Sequence, residues 1–202
     1  MKIKICGFTQ VENAKQASRL GIDAIGLVFY DKSPRNISVE TATDIVNCLP
    51  PFVNRVGLFV NAEDNFIDEV LCEVPLDTLQ FHGDESAEDC KQYGVPFIKA
   101  LRINSETNIA KMADYFSHAS GLLLDTYNSS AYGGTGESFD WSLANVDIDL
   151  PIILAGGLSP HTVQEAIRQV NPYAVDVSSG VESSKGVKDI DKIKSFILQA
   201  NQ

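Results

Sequence analysis

Apolar residues along this 202-residue chain fall into short β-branched runs that alternate with stretches of helical period. Eight runs read as strands: Ile3–Cys6, Ala24–Phe29, Arg55–Val60, Thr78–Phe81, Phe97–Leu101, Gly121–Leu124, Ile152–Ala155 and Ala174–Val177. Between them, Val11, Ala14, Ala17 and Leu20 recur at helical spacing, as do Val39, Ala42, Ile45, Val46 and Leu49. Ile190, Ile193, Phe196 and Ile197 end the chain the same way. Punctuation supports the helices. Thr9 with Glu12 three residues later reads as a capping box, Gly21 follows the first helix, and Ser159-Pro160 reads as an N-cap with proline at the first helical position.

Strand and helix in alternation are the pattern of βα units and a parallel sheet. The prediction is an α/β chain forming a single (β/α)8 barrel, with residues 1–202 as one catalytic domain and the active site at the C-terminal strand ends. Units of about 25 residues lie at the short end of what this barrel uses, so few insertions are expected. An open doubly wound sheet is the alternative, but no G-x-G-x-x-G follows the first strand.

Composition narrows the function classes. Hydrophobic content of 44% and charged content of 21% are those of an ordinary globular chain. No apolar run approaches the roughly 20 residues of a membrane span, and Lys2 and Lys4 interrupt the only early apolar segment, which argues against a signal peptide. The net charge of −11 repels a phosphate backbone, so nucleic acid is not an expected partner. An anionic metabolite can still bind where amides or an arginine hold it. Cys6, Cys48, Cys72 and Cys90 lie far apart without C-x-x-C spacing, as reduced cytoplasmic thiols do, and that spacing does not suit zinc.

In a parallel barrel the last residues of the strands face one mouth, so strand ends become candidate site residues. The first strand ends at Cys6, the second leads into Ser33-Pro34-Arg35, and the fourth is followed by His82-Gly83-Asp84. Cys6 has a plain alternative as a buried small hydrophobe. Leu122-Leu123-Leu124 runs into Asp125, which fits either a turn-capping carboxylate or an acid whose pKa an apolar wall raises. Gly133-Gly134-Thr135-Gly136 follows the sixth strand. Gly156 and Gly157 follow the seventh strand, and Asp176 to Glu182, with Ser178, Ser179 and Gly180, closes the eighth. Phosphate sites in these barrels are frequently built by those two loops, so a phosphorylated small molecule is the expected ligand.

These segments, taken together with Lys4-Ile5-Cys6-Gly7, Gly26-Leu27-Val28-Phe29, Val56-Gly57-Leu58-Phe59, Gln80-Phe81-His82-Gly83-Asp84-Glu85, Phe139 and Trp141, resemble the motif series of the phosphoribosylanthranilate isomerase family, in order from residue 3 to about 197. One departure is Ser183-Ser184-Lys185-Gly186, where the family commonly has proline before the glycine. The resemblance implies an Amadori rearrangement of N-(5-phosphoribosyl)anthranilate to 1-(2-carboxyphenylamino)-1-deoxyribulose 5-phosphate in tryptophan biosynthesis, without a cofactor or metal. In that scheme Asp125 is the general acid and Cys6 the general base. Arg35 grips the anthranilate carboxylate with a bidentate fork, and His82 and Asp176 contact or orient the substrate. Gly156, Gly157, Ser178, Ser179 and Gly180 hold the phosphate, and residues 126–138 are a candidate lid. A monomer or homodimer is the expected assembly. Competing readings are a metal-dependent sugar-phosphate epimerase, disfavoured because only three histidines exist, and a non-catalytic phosphate-binding barrel.

Overall fold

The computed structural model describes residues 1–126 and 140–202. Its sheet is a closed barrel of eight parallel strands in chain order: β1 (Lys2–Cys6), β2 (Ala24–Phe29), β3 (Asn54–Phe59), β4 (Thr78–Phe81), β5 (Phe97–Ile103), β6 (Gly121–Thr126), β7 (Ile152–Leu154) and β8 (Ala174–Val177). β8 returns to pair with β1, which places Lys4 opposite Asp176, while on the other side Cys6 pairs with Gly26. The expected strands agree with these to within two residues at each end. Outside run the helices α1 (Val11–Ser18), α2 (Val39–Asn47), α3 (Asp64–Glu73), α4 (Ala87–Lys91), α5 (Ile109–Tyr115), α6 (Val163–Val170) and α7 (Ile190–Ala200). The described part of the β6–β7 connection carries only a 3₁₀ turn, Trp141–Ala144.

Side chains alternate across each strand, and the alternation divides the core in two. Ile3 and Ile5 of β1 join the large cluster between sheet and helices, with Phe59, Phe81, Ile45, Val163 and Phe196. Lys4 and Cys6, in the opposite phase, face the barrel interior. The interior holds one apolar cluster of Ile98, Ala100, Leu123, Ile153, Ala155 and Ala174 and another of Cys6, Val28, Leu58 and Val60. Each fully buried Ile, Leu or Phe contributes about 1.5–3 kcal/mol. That investment fixes the strand ends, and so the mouth.

Two punctuation expectations fail. Helix α1 starts at Val11, with Gln10 in the N-cap position and no side-chain cap. Thr9 is drawn away because its hydroxyl donates to the Gly186 carbonyl 177 residues later, and Glu12 instead accepts from Gln16. At the other site, Ser159 and Thr162 close a turn on each other, so α6 begins only at Val163 and Pro160 lies in the turn. Past β8 the chain forms an antiparallel hairpin that the apolar pattern did not signal, β9 (Glu182–Ser184) and β10 (Val187–Lys188).

Candidate active site

Cys6 occupies the inner end of β1 with little exposure. The neighbouring strand makes room for it: a carbon added at Gly26 would stand 2.5 Å from Cys6 Sγ. One step deeper, Lys4 Nζ lies 2.9 Å from Asp176 Oδ2, and both side chains are buried. Burial works against the charge on Lys4, but Asp176 and then Cys6 hold its pKa above the ordinary lysine value. For the Cys6 thiol, burial is the strongest influence and pushes the pKa up. Lys4 and Lys188 pull it down, Asp176 adds to the rise, and the net direction is up.

Asp125 is the penultimate residue of β6, buried like the rest of the strand, and its Oδ1 accepts from the Thr126 N–H at 2.8 Å. Its Oδ2 lies 3.3 Å from Nε2 of His82, although that nitrogen has no aligned hydrogen bond. Gln80 Nε2 stands 3.2 Å from His82 Nδ1; with the amide in this orientation Nδ1 is the acceptor, and Nε2 is the ring nitrogen that faces Asp125. Behind His82 the loop is pinned from outside the barrel. Lys99 Nζ donates to the Gly83 carbonyl and to Glu85 Oε2, both at 2.8 Å, and Glu85 accepts from the Gly83 N–H.

Arg35 is buried at the mouth, with its fork already engaged. Nε and Nη2 donate to the two oxygens of Glu182 at 2.7 and 2.8 Å, and Lys188 Nζ donates to the same carboxylate at 2.7 Å. The bidentate grip expected for a substrate carboxylate is therefore made with Glu182 along the Nε edge. Among the described residues no hydrogen bond engages Nη1. Burial disfavours the charge on Glu182, but Arg35 and Lys188 outweigh it and hold its pKa below the ordinary value.

The two loops expected to hold phosphate come together. A carbon added at Gly180 would stand 2.0 Å from the Leu158 carbonyl oxygen, so the loop after β8 rests directly on the loop after β7. Gly156 and Gly157 both take positive φ, 76° and 68°, and an added carbon at Gly156 would stand 3.3 Å from Asp125 Oδ1. That arrangement brings bare backbone close to Asp125. Ser178 ties this corner to the thiol, because its hydroxyl donates to the Cys6 carbonyl at 3.0 Å. Gly133-Gly134-Thr135-Gly136, Phe139 and all of the candidate lid beyond Thr126 lie outside the described residues.

Comparison with known proteins accounts for this combination of barrel, thiol, carboxylate and paired loops. The family model for N-(5'phosphoribosyl)anthranilate (PRA) isomerase matches residues 3–199. The chain belongs to this isomerase family. It is 55% identical over 197 residues to the N-(5'-phosphoribosyl)anthranilate isomerase of Pseudomonas fluorescens, covering 98% of this chain and 97% of that one. A Thermotoga maritima structure, described as mutually generated monomers of a dimeric phosphoribosylanthranilate isomerase, superposes with a TM-score of 0.86 at 39% identity, covering 100% of this chain and 98% of that one. Another phosphoribosylanthranilate isomerase was solved with reduced 1-(o-carboxyphenylamino)-1-deoxyribulose 5-phosphate; it aligns at 42% identity and a TM-score of 0.86, with 100% and 98% covered.

The chain is thus an isomerase of tryptophan biosynthesis built on the expected barrel. Among the described residues, no group of three or more His, Cys, Asp or Glu side chains is arranged to hold a metal ion, and no helix is long and apolar enough to cross a membrane. His118 and His161 are exposed, the first after α5 and the second in the turn before α6. Sequence reasoning brought Cys6, Arg35, His82, Asp125 and Asp176 to one mouth but passed over Lys4, Gln80, Glu182 and Lys188. A signal for Lys4 was present, since it shares the phase of Cys6 on a strand whose other phase is Ile3 and Ile5.

Proposed function

We propose that Cys6 and Asp125 carry the rearrangement as base and acid. The proton of the Asp125 carboxyl passes to the ribose ring oxygen of N-(5-phosphoribosyl)anthranilate, and the C1′–O bond opens to an iminium. The Cys6 thiolate then removes the proton from C2′, giving an enolamine that tautomerises to the ketone product. Proton transfer of this kind requires two groups with pKa values tuned to neutral pH on either side of the sugar. The iminium adds positive charge near the thiolate during the step that needs it. No cofactor enters the scheme.

The observation that carries this reading is the placement of a buried thiol and a buried carboxylate at the mouth of the barrel, beside two touching glycine-rich and serine-rich loops. Gly156, Gly157, Ser178, Ser179 and Gly180 would bind the 5-phosphate. Asp176, whose buried Oδ1 has no hydrogen-bond partner among the described residues, would contact the substrate or orient its hydroxyls. His82 would orient Asp125, and the Nη1/Nη2 end of Arg35 would bind the anthranilate carboxylate.

Residues 1–202 would act as one catalytic domain, a reading supported by closure of the barrel between the first and the last strand. The four free thiols fit a reducing cytoplasm. The assembly would be a monomer or a homodimer; the wholly exposed Phe52, in a concavity that it lines with Val46, Leu49, Pro50 and Val53 and with the polar Asn54, Arg55 and Asp77, supports the homodimer.

The test is the isomerase assay on Cys6→Ala and Asp125→Asn. Each should lower kcat by about a hundredfold or more with little change in KM. Near-normal turnover in either variant would remove that residue from its role.

A further inference from the structure

The β9–β10 hairpin carries two buried charges, Glu182 and Lys188, that no step of the isomerisation consumes. Glu182 holds Arg35 across 147 residues of sequence. Lys188 Nζ binds the same carboxylate and also stands 3.2 Å from the Ser178 carbonyl and 3.4 Å from its hydroxyl, within the candidate phosphate loop. The hairpin is itself fastened from several sides. Lys192 Nζ donates to the Glu182 carbonyl at 2.7 Å, the Lys188 N–H donates to Asn13 Oδ1 at 3.1 Å, and Thr9 donates to the Gly186 carbonyl. Opposite Glu182, a carbon added at Gly7 would stand 2.5 Å from Arg35 Cδ, so bare backbone forms the other wall of the arginine's channel.

We propose that Glu182 is a positioning residue that makes the site selective for a carboxylate on the aromatic half of the substrate, by aiming the free end of Arg35 at it. This rests on the reading of Arg35 given above. A free arginine side chain carries about 2 kcal/mol of rotamer entropy, and a fork already closed on a buried carboxylate has lost it before the ligand arrives. Charge points the same way. Arg35 and Lys188 bring two positive charges and Glu182 one negative, so the cluster keeps one positive charge that a ligand carboxylate cancels. The same hairpin joins the carboxylate end of the site to the phosphate end through Ser178, which fixes the distance between them.

The experiment uses two probes on the full chain: the reduced carboxyphenylamino-deoxyribulose 5-phosphate, and its phenylamino counterpart without the carboxyl group. Calorimetric Kd values are compared for the wild type, Arg35→Ala, Glu182→Gln and Glu182→Asp. Glu182→Gln should weaken the carboxylate probe by about tenfold or more and leave the other probe within about twofold. Glu182→Asp keeps the buried charge, and with it the fold, but is one methylene too short to reach both cations; it should show the same selective loss. Should Glu182→Gln not fold, Glu182→Asp decides. Equal loss for both probes, or no loss in a folded variant, would overturn the proposal. If Arg35→Ala does not lose the preference for the carboxylate probe, the reading of Arg35 itself fails. If it does while the Glu182 variants keep theirs, only the hairpin's role fails.

Discussion

Replacing Gly26 with alanine should disable the enzyme from a position that has no chemistry of its own. The new methyl carbon would stand 2.5 Å from Cys6 Sγ, 3.0 Å from its Cα and 3.1 Å from its Cβ. Comfortable separations between non-bonded heavy atoms are about 3.5–4.0 Å, so the sulfur must retreat by about 1 Å. The strands cannot part to spare it, because Cys6 and Gly26 are register partners in the ladder and the Gly7 and Phe8 N–H groups both donate to the Gly26 carbonyl. Overpacking of this size costs about 1–3 kcal/mol, while alanine regains about 0.5–1 kcal/mol over glycine within a strand. The net loss of stability is then about 0–2.5 kcal/mol, or a Tm lower by at most about 10 °C. The effect on rate should be larger. A displacement of about 1 Å from productive geometry can cost about a hundredfold, and it should appear in kcat with KM little changed. Loss of the fluorescence of the anthranilate–ribose conjugate reports turnover, and a thermal melt reports folding. A folded Gly26→Ala variant with kcat within about twofold of wild type would refute both the placement of the sulfur and its role as the base.

Two further outcomes follow from buried charge and from surface. With Cys6 as the proposed thiolate base, kcat/KM should rise as pH rises toward a thiol pKa that burial holds above the usual cysteine value; Lys4, Lys188, Asp176 and Arg35 are the charged groups around it. Lys4→Met removes a lowering influence, so the rising limb should move to higher pH. A limb that stays in place would show that Lys4 serves only to pair Asp176. Lys4→Met leaves Asp176 unpaired, and breaking a buried pair costs about 3–5 kcal/mol, so the limb is read on protein that a thermal melt shows to be folded. Phe52→Ser, on the face of the barrel away from the mouth, should shift sedimentation from dimer to monomer while kcat is unchanged. A wild-type monomer, or a variant that still pairs, would dismiss the exposed phenylalanine as the contact.

Much of the fold was legible because a strand buried on both faces leaves a local record. Leu122-Leu123-Leu124-Asp125 announces a strand, its end and a mouth residue within four positions. The candidate site was legible for the same reason, since topology alone sends strand ends to one place. What stayed hidden depends on contacts between distant segments. Thr9 reads locally as a cap, yet a carbonyl on the hairpin claims its hydroxyl. Ser183-Ser184-Lys185-Gly186 reads as an ordinary loop, yet it is the turn that brings Glu182 and Lys188 onto Arg35.

Those distant pairings also explain how one small barrel tolerates so much buried charge around its thiol. Lys4 is matched by Asp176, while Arg35 and Lys188 share Glu182. Three cations thus face two carboxylates, and one positive charge is left over in the neighbourhood of Cys6. Burial favours the protonated sulfur and the surplus charge favours the thiolate, so the two influences oppose each other and keep the group within reach of proton transfer. Under the proposed scheme a substrate iminium would tip this balance toward the thiolate as C2′ loses its proton. The proposed scheme thus gives the two charges of the reacting substrate to different residues, with the thiol, the arginine and the hairpin acting as one electrostatic unit.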